Sequence, residues 1–308
     1  MKGLIRWHQG WAPYVFVLPF VVLFLVFGLF PIAFSLYLVF HAWDPVQGLQ
    51  SMQYVGMENL SFALEDPLVW TSLGNTLWLA VASGLPQHLV AIPLAYFINE
   101  QLGRWRNTAM GVYFLPYITS TVAIAIMFST LFSTDYGAIN VMLQGLAKWD
   151  LLAQLLPAHN IDWLGQPETI KPVVALVVFW RYVGFNTILY VAAMQSIPRD
   201  LYEAARMDGA NGQRIFWHIT LPQLKPMMYF GVTLTVIGGL QLFEEPFILT
   251  GGKGGIEYAG MTTAMYMYRT AFEFNDFGLA SAISWMLFAV ILVLTLVTNR
   301  AFRVKGGA

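Results

Sequence analysis

The 308-residue chain contains no cysteine, and only 11% of its residues are charged. The absence of cysteine excludes disulfide bonds and thiolate chemistry, and it leaves the redox compartment open. Soluble globular proteins contain about 25% charged residues, so this chain has less than half the charge that such a protein carries. Hydrophobic residues make up 57% of the sequence, and the mean hydropathy is +0.60. The composition therefore predicts a protein that crosses a membrane several times.

The sequence also lacks a nucleotide phosphate-binding motif and a zinc-binding motif. The phosphate-binding motif G-x-x-x-x-G-K-[ST] is absent, because the glycine-rich stretch around Lys253 lacks its spacing. The five histidines are scattered, and none belongs to an H-E-x-x-H pattern that would bind zinc. We therefore expect no catalytic residue, no metal site and no cofactor bound by this chain. The net charge of −1 gives no indication of nucleic-acid binding.

Six apolar segments are each long enough to cross a hydrocarbon core of about 30 Å, given the rise of about 1.5 Å per residue in an α-helix. The sequence thus predicts an all-α fold in which residues 1–308 form a single transmembrane domain. The predicted spans are residues 14–40, 72–98, 108–132, 172–197, 227–250 and 278–302.

The distribution of Lys and Arg predicts the orientation of these spans. Six spans place both termini on one side, and cytoplasmic segments of membrane proteins carry the excess of Lys and Arg. Eleven of the sixteen basic residues fall on the side of the termini, which predicts that both termini are cytoplasmic. Those eleven are Lys2, Arg6, Arg104, Arg106, Arg199, Arg206, Arg214, Lys225, Arg300, Arg303 and Lys305.

The polar segment at residues 198–226, between the fourth and fifth spans, has the pattern of a short helix rather than of a loop. Apolar and charged residues alternate from Asp200 to Asp208, and Gly209 can end the helix because it tolerates the left-handed conformation of a C-terminal cap. Phe216 and Ile219 suggest a second short helix. We expect Leu221-Pro222 to stop it, since proline disrupts a helix interior.

The same segment closely resembles the "EAA" loop of the membrane subunits of binding-protein-dependent ABC importers. The residues that carry the resemblance are Glu203-Ala204-Ala205, Asp208-Gly209 and Ile219-Thr220-Leu221-Pro222. Further patterns, such as Asn75-Thr76 and Leu249-Thr250-Gly251-Gly252, resemble the carbohydrate branch of the family, which includes the maltose and glycerol-phosphate importers. The resemblance runs from Val15 to Arg303 and implies the type I importer permease fold.

The resemblance implies how the coupling loop, residues 198–226, works. In the family, the loop helix docks in a cleft of a separate cytoplasmic ATPase, which binds ATP and Mg²⁺. Ala204 and Ala205 let the helix seat closely, Glu203 provides a polar contact and Gly209 permits the turn, while Asp208, Leu221 and Pro222 complete the motif. Closure of two ATPases then moves two such loops together and changes the access of the pore. The alternative is that residues 198–226 form only a structural connector that binds no partner.

The resemblance places the substrate path in the fourth and fifth spans. In the fourth span, four residues share one helical face, and their rings, amide and guanidinium suit sugar binding. In the fifth span, three polar residues lie near the outer end, Gln241, Glu244 and Glu245. Arg181 either lines the path or forms an ion pair with Glu244 or Glu245, and Asn186 either lines it or joins two helices. Phe185 and Tyr182 either line it or pack. The candidates are Arg181, Tyr182, Phe185, Asn186, Gln241 and Glu244.

The resemblance further implies a bacterial plasma (inner) membrane location and an assembly of several chains. The partners are a second permease, usually a different chain, two ATPase subunits and an extracytoplasmic solute-binding protein. The solute is a sugar or a related molecule, with a polyol or glycerol phosphate as alternatives. An integral membrane enzyme would need converging catalytic groups, and an ion-driven transporter would normally show an internal repeat or buried acidic residues within its spans. The sequence offers neither pattern.

Overall fold

The computed structural model describes residues 2–149 and 159–302, and helices dominate both ranges. Arg303 and Lys305, two of the basic residues used to predict the orientation, lie outside the described residues. Within these two ranges, five helical segments are long and apolar enough to cross a membrane, and a bent pair of helices forms a sixth candidate. The chain divides into two compact units, one of residues 1–66 and 267–286 and the other of residues 67–266 and 287–308.

The first unit begins with a long apolar helix. Helix α1 (Lys2–Phe24) continues through a π-helical turn (Leu25–Leu29) into α2 (Phe30–Leu38). The stretch Pro13–Leu38 is long enough to span a bilayer, and no residue in its most apolar part is buried. Its large side chains, such as Phe16 and Phe27, are exposed. This surface is therefore suited to contact with lipid or with another apolar protein surface.

A small hairpin and a short helix follow in the first unit. Strands β1 (His41–Ala42) and β2 (Gln53–Tyr54) pair antiparallel, and α3 (Glu58–Glu65) comes next. The buried Asn59 amide donates hydrogen bonds to the backbone oxygens of Val39 (2.9 Å) and His41 (3.0 Å). These bonds satisfy carbonyl groups at the end of α2, where no further helical turn follows.

The second unit is built around two long helices, α4 (Pro67–Gln101) and α8 (Pro167–Gln195). They pack along each other, and their contact buries side chains such as Leu79, Val174 and Val177. Helix α5 (Arg106–Ile118) packs against α8 at Gly184, where a Cβ would overlap the backbone carbonyl of Tyr113. Small residues at such crossings let membrane helices approach closely.

The third predicted span is not a straight helix. Helices α5 and α6 (Thr121–Leu131) meet at an angle of 90°. The break falls at Thr119 and Ser120, whose ψ angles of 146° and 128° are extended rather than helical. Pro116 precedes the break and has no N–H to donate within the helix. Helix α7 (Ala138–Leu146) then completes this part of the chain.

The loop that follows α8 consists of short helical pieces. They are α9 (Arg199–Met207), α10 (Gly212–Ile215), a π-helical turn (Phe216–Thr220) and α11 (Leu221–Gln223). The prediction that Leu221-Pro222 stops the second helix is wrong. Helical structure continues through Pro222, because this residue lies in the first turn of α11, where the missing N–H is tolerated.

The fifth span is α12 (Lys225–Leu240), and a short helix, α13 (Glu244–Leu249), follows it. Helix α12 packs on α4 at Gly84, where a Cβ would lie 2.7 Å from the Thr235 methyl carbon. A buried histidine, His88, joins three helices: its Nδ1 lies 2.7 Å from the Tyr190 hydroxyl, and its Nε2 lies 3.0 Å from the Thr235 hydroxyl. Polar contacts of this kind hold membrane helices together.

The last two helices of the described residues are α14 (Thr263–Phe272) and α15 (Phe277–Phe302). Asn75 and Thr76 on α4 hold the segment that leads into α14. The Asn75 amide donates to the backbone oxygens of Tyr258 (2.9 Å) and Met261 (3.0 Å), and the Thr76 hydroxyl accepts from the Thr263 N–H (2.9 Å). The two residues therefore anchor a glycine-rich segment that has little regular structure of its own.

Candidate functional sites: a capped loop helix and a cavity in the helix bundle

Helix α9 of the coupling loop has one exposed and one partly buried face. Leu201, Ala204 and Met207 are exposed, and Met207 reaches 88% exposure. Tyr202 and Ala205 are partly buried on the opposite face. Exposure of this apolar stripe indicates a surface that another protein covers. Of the two alanines predicted to seat against an ATPase, Ala204 lies on this stripe and Ala205 is partly buried.

The end of α9 is fixed by Gly209, as predicted. Gly209 has a φ of +74°, in the left-handed region. Its N–H donates to the Arg206 oxygen (3.0 Å), and the N–H of Ala210 donates to the Ala205 oxygen (2.9 Å). These two bonds form a Schellman motif, which closes the helix and sets the direction of the chain that leaves it.

Several hydrogen bonds tie the coupling loop to α4 and to itself. The Tyr96 hydroxyl on α4 donates to the Gly212 oxygen (3.2 Å), and Arg206 lies 3.4 Å from Glu100. The Tyr202 hydroxyl lies 3.2 Å from that of Thr220, and burial raises the pKa of Tyr202 above its ordinary value. A displacement of α9 would therefore be transmitted to the end of α4.

A polar cleft of about 520 Å³ lies beside α9. Glu203, predicted to contact an ATPase, lines this cleft together with Arg106, Arg199 and Arg206. Glu203 is exposed, so its carboxylate is accessible to a polar group from another chain. Asp208 is also exposed, whereas Leu221 is partly buried.

A second cavity, of about 200 Å³, lies inside the helix bundle between α4, α5, α8 and α12. Rings form one part of its wall: Tyr117 and Phe185 are stacked with their centroids 4.5 Å apart, and Tyr182 meets Tyr117 edge-on at 5.7 Å. Hydroxyl and amide groups form another part. The lining residues are Ser83, Gln87, Tyr117, Val178, Tyr182, Phe185, Asn186, Leu234, Thr235, Gly238, Gly239 and Leu242.

A pair of amides in this cavity joins α4 and α8. The Asn186 side chain donates to the Gln87 oxygen at 3.1 Å, and both residues are only 3% exposed. Of the two roles left open by the sequence, the structure shows the bond to a second helix. Asn186 also lines the cavity, and its part in a substrate path stays a prediction. Both N–H groups of the Asn186 amide are used, since the amide also donates to the Tyr182 backbone oxygen (3.3 Å). A side-chain amide carries two donors and an acceptor with two lone pairs, so the Asn186 oxygen and the Gln87 N–H groups keep capacity for hydroxyl groups of a ligand.

The structure brings together half of the residues predicted for the substrate path. Tyr182, Phe185 and Asn186 line the cavity, and each of the two rings also packs on Tyr117. Arg181 forms an ion pair with Glu245, with 2.7 Å between the Nη1 and Oε1 atoms, as one of the two alternatives predicted.

Gln241 and Glu244 are exposed and do not line this cavity, so their part in a transport path stays a prediction.

Sequence reasoning missed the contributions of α4, α5 and α12 to the cavity. Ser83 and Gln87 are four residues apart and thus share one face of α4. Two polar side chains on one face of an apolar span are a signal that could have identified them. Tyr117 lies before the break in the third span, and no local pattern distinguishes it from a packing residue.

The comparisons with known proteins identify the family of the chain. Residues 89–304 match the family model described as "Binding-protein-dependent transport system inner membrane component". The chain is 35% identical to the arabinooligosaccharides transport system permease protein AraP of Bacillus subtilis, covering 93% of this chain and 87% of the relative. It is 33% identical to the lactose transport system permease protein LacF of Rhizobium radiobacter, covering 98% and 97%.

Among solved structures, a chain of a bacterial alginate ABC transporter has a similar fold. That transporter was crystallised with its alginate pentasaccharide-bound periplasmic protein. The TM-score is 0.80 with 26% sequence identity, and the match covers 97% of each chain. The family match includes the whole coupling loop and most of the cavity lining. The chain belongs to the family of inner membrane components of binding-protein-dependent transport systems and has the fold of the ABC transporter permeases.

Proposed function

We propose that this chain is the permease subunit of an ATP-driven importer that moves a carbohydrate across the bacterial plasma membrane. The observation that carries the proposal is the cavity, in which stacked rings and paired amides face each other within the helix bundle. Aromatic rings pack against the apolar faces of sugars, and amide groups bond to their hydroxyls. Relatives named for arabinooligosaccharide and lactose transport support the same class of solute.

The energy comes from two separate ATPase subunits, which bind ATP and Mg²⁺. The chain has no phosphate-binding motif of its own, and the exposed stripe of Leu201, Ala204 and Met207 is the surface that docks on an ATPase. Both termini and the coupling loop are cytoplasmic in this arrangement. ATP-driven closure of the ATPases moves α9, and the contacts of Tyr96 and Glu100 pass the movement to α4.

Helix α4 and helix α8 both line the cavity, so a tilt of their ends changes the access of a bound solute. A second permease, of the same or a different sequence, forms the other half of the pore and covers part of the exposed α1–α2 surface. An extracytoplasmic solute-binding protein delivers the solute. The similar alginate transporter was solved in complex with its periplasmic protein, which supports this partner.

The proposal is tested by uptake into proteoliposomes that contain the chain with its partner permease and ATPase. Vesicles loaded with ATP and Mg²⁺ and supplied with the binding protein are offered radiolabelled lactose, an arabinooligosaccharide, glycerol 3-phosphate and an amino acid. We expect ATP-dependent accumulation of at least one sugar and none of the amino acid. Vesicles loaded with a non-hydrolysable ATP analogue serve as the control. Accumulation of the amino acid alone would contradict the carbohydrate assignment.

A further inference from the structure

The cavity in the helix bundle is lined entirely by uncharged side chains. Its polar groups are the Ser83 and Thr235 hydroxyls, the Gln87 and Asn186 amides and two tyrosine phenols, and no Asp, Glu, Lys or Arg of the described chain lies in its wall. Such groups bond well to neutral hydroxyls. An anionic ligand in the same place would lose its hydration without gaining an opposite charge, and burial of an unpaired charge is costly.

The cation adjacent to this wall is already paired. Arg181 Nη1 lies 3.5 Å from the hydroxyl of Tyr182, which lines the cavity, and the guanidinium lies 5.2 Å from the centre of the Tyr182 ring. The same Nη1 donates to Glu245 at 2.7 Å, and the two side chains are only 13% and 3% exposed. The carboxylate therefore compensates the positive charge that would otherwise attract an anionic sugar.

We infer that the cavity selects uncharged carbohydrates and rejects uronates and sugar phosphates, and that the Arg181–Glu245 ion pair is a specificity-determining element. The inference rests on the proposed function, because it names the class of sugar that the same cavity takes. The inference reduces the range of solutes that the sequence left open, because it excludes glycerol phosphate and other sugar phosphates. Glu245 acts here through Arg181 and does not itself contact the solute.

The test measures binding to the purified permease–ATPase complex without the solute-binding protein, so that selection by that protein is removed. Equilibrium dialysis with radiolabelled lactose is run in competition with digalacturonate and with its uncharged methyl ester. We expect the methyl ester to compete at least about tenfold better than digalacturonate, as a desolvated unpaired charge requires. Equal competition by the acid and the ester would overturn the inference and leave the proposed function standing.

The variants Glu245→Gln and Arg181→Met/Glu245→Gln separate the effect of charge from that of folding. Glu245→Gln leaves Arg181 uncompensated, and we expect digalacturonate to bind about tenfold more tightly than to the parent. The double variant is uncharged at this position, so its preference for the ester should return to the parental value. If Glu245→Gln elutes as an aggregate in size-exclusion chromatography, the inference is decided by the competition between digalacturonate and its methyl ester for the parental protein. Binding of neither lactose, the acid nor the ester would overturn the proposed function and the inference with it.

Discussion

Gly209→Val abolishes ATP-driven uptake and leaves the membrane spans inserted: this is the result we expect for the residue that ends α9. Gly209 has a φ of +74°, a conformation that a β-branched side chain adopts only with strain. The valine variant would lose the two bonds of the Schellman motif, and the last turn of α9 would then fray. Because the change lies outside the bilayer, we expect normal amounts of protein in the membrane.

The measurement pairs uptake with recovery of the ATPase on the tagged chain. In Gly209→Val, we expect uptake to fall to background and the ATPase either to be lost or to hydrolyse ATP without stimulation by solute. Gly209→Asn is the matched control, since asparagine tolerates the left-handed conformation far better than valine. Parental uptake in the valine variant would mean that α9 is a connector without a coupling role.

The second large effect is expected from Asn186→Ala in the cavity. The substitution removes the Asn186 oxygen as an acceptor for hydroxyl groups of the solute and leaves the buried oxygen of Gln87 without its partner. An unsatisfied buried polar group costs about 1–3 kcal/mol, so the solute loses affinity and the cavity loses its defined shape. A loss of about 1.4 kcal/mol lowers affinity tenfold, so we expect uptake to fall at least about tenfold.

Asn186→Ala should leave the ATPase bound, because the cavity and the coupling loop are separate sites. Gln166→Ala, just before α8, is the control, because Gln166 is polar and exposed and lies outside the cavity wall. Its uptake should equal that of the parent. If the variant at Asn186 transports at the parental rate, the path lies elsewhere than in this cavity.

The coupling loop was predictable from sequence because its signals are local. The alternation of apolar and charged residues around Glu203 and the glycine at position 209 specify a short helix and its cap within a dozen residues. The error at Pro222 is of a different kind. A proline is compatible with the first turn of a helix, and the π-helical turn Phe216–Thr220 that precedes it has no signal in the sequence that we recognised.

The cavity was only half predictable because its wall comes from four helices that are distant in sequence. The face of α8 that carries Tyr182 and Asn186 follows from helical periodicity. The opposing Gln87 and Tyr117 depend on how α4 and α5 pack, and on the break at Thr119 and Ser120. The choice of Glu245 over Glu244 as the partner of Arg181 depends likewise on the direction of a short helix, α13.

The most direct test of the coupling role is the composition of the transporter purified on this chain. Affinity purification from native membranes, followed by quantitative mass spectrometry, should recover two ATPase subunits and one further permease for each functional unit. The same preparation should take up solute when it is reconstituted with the binding protein and ATP. A preparation that contains this chain, lacks any ATPase and still accumulates solute would contradict the central claim that α9 couples this permease to ATP hydrolysis.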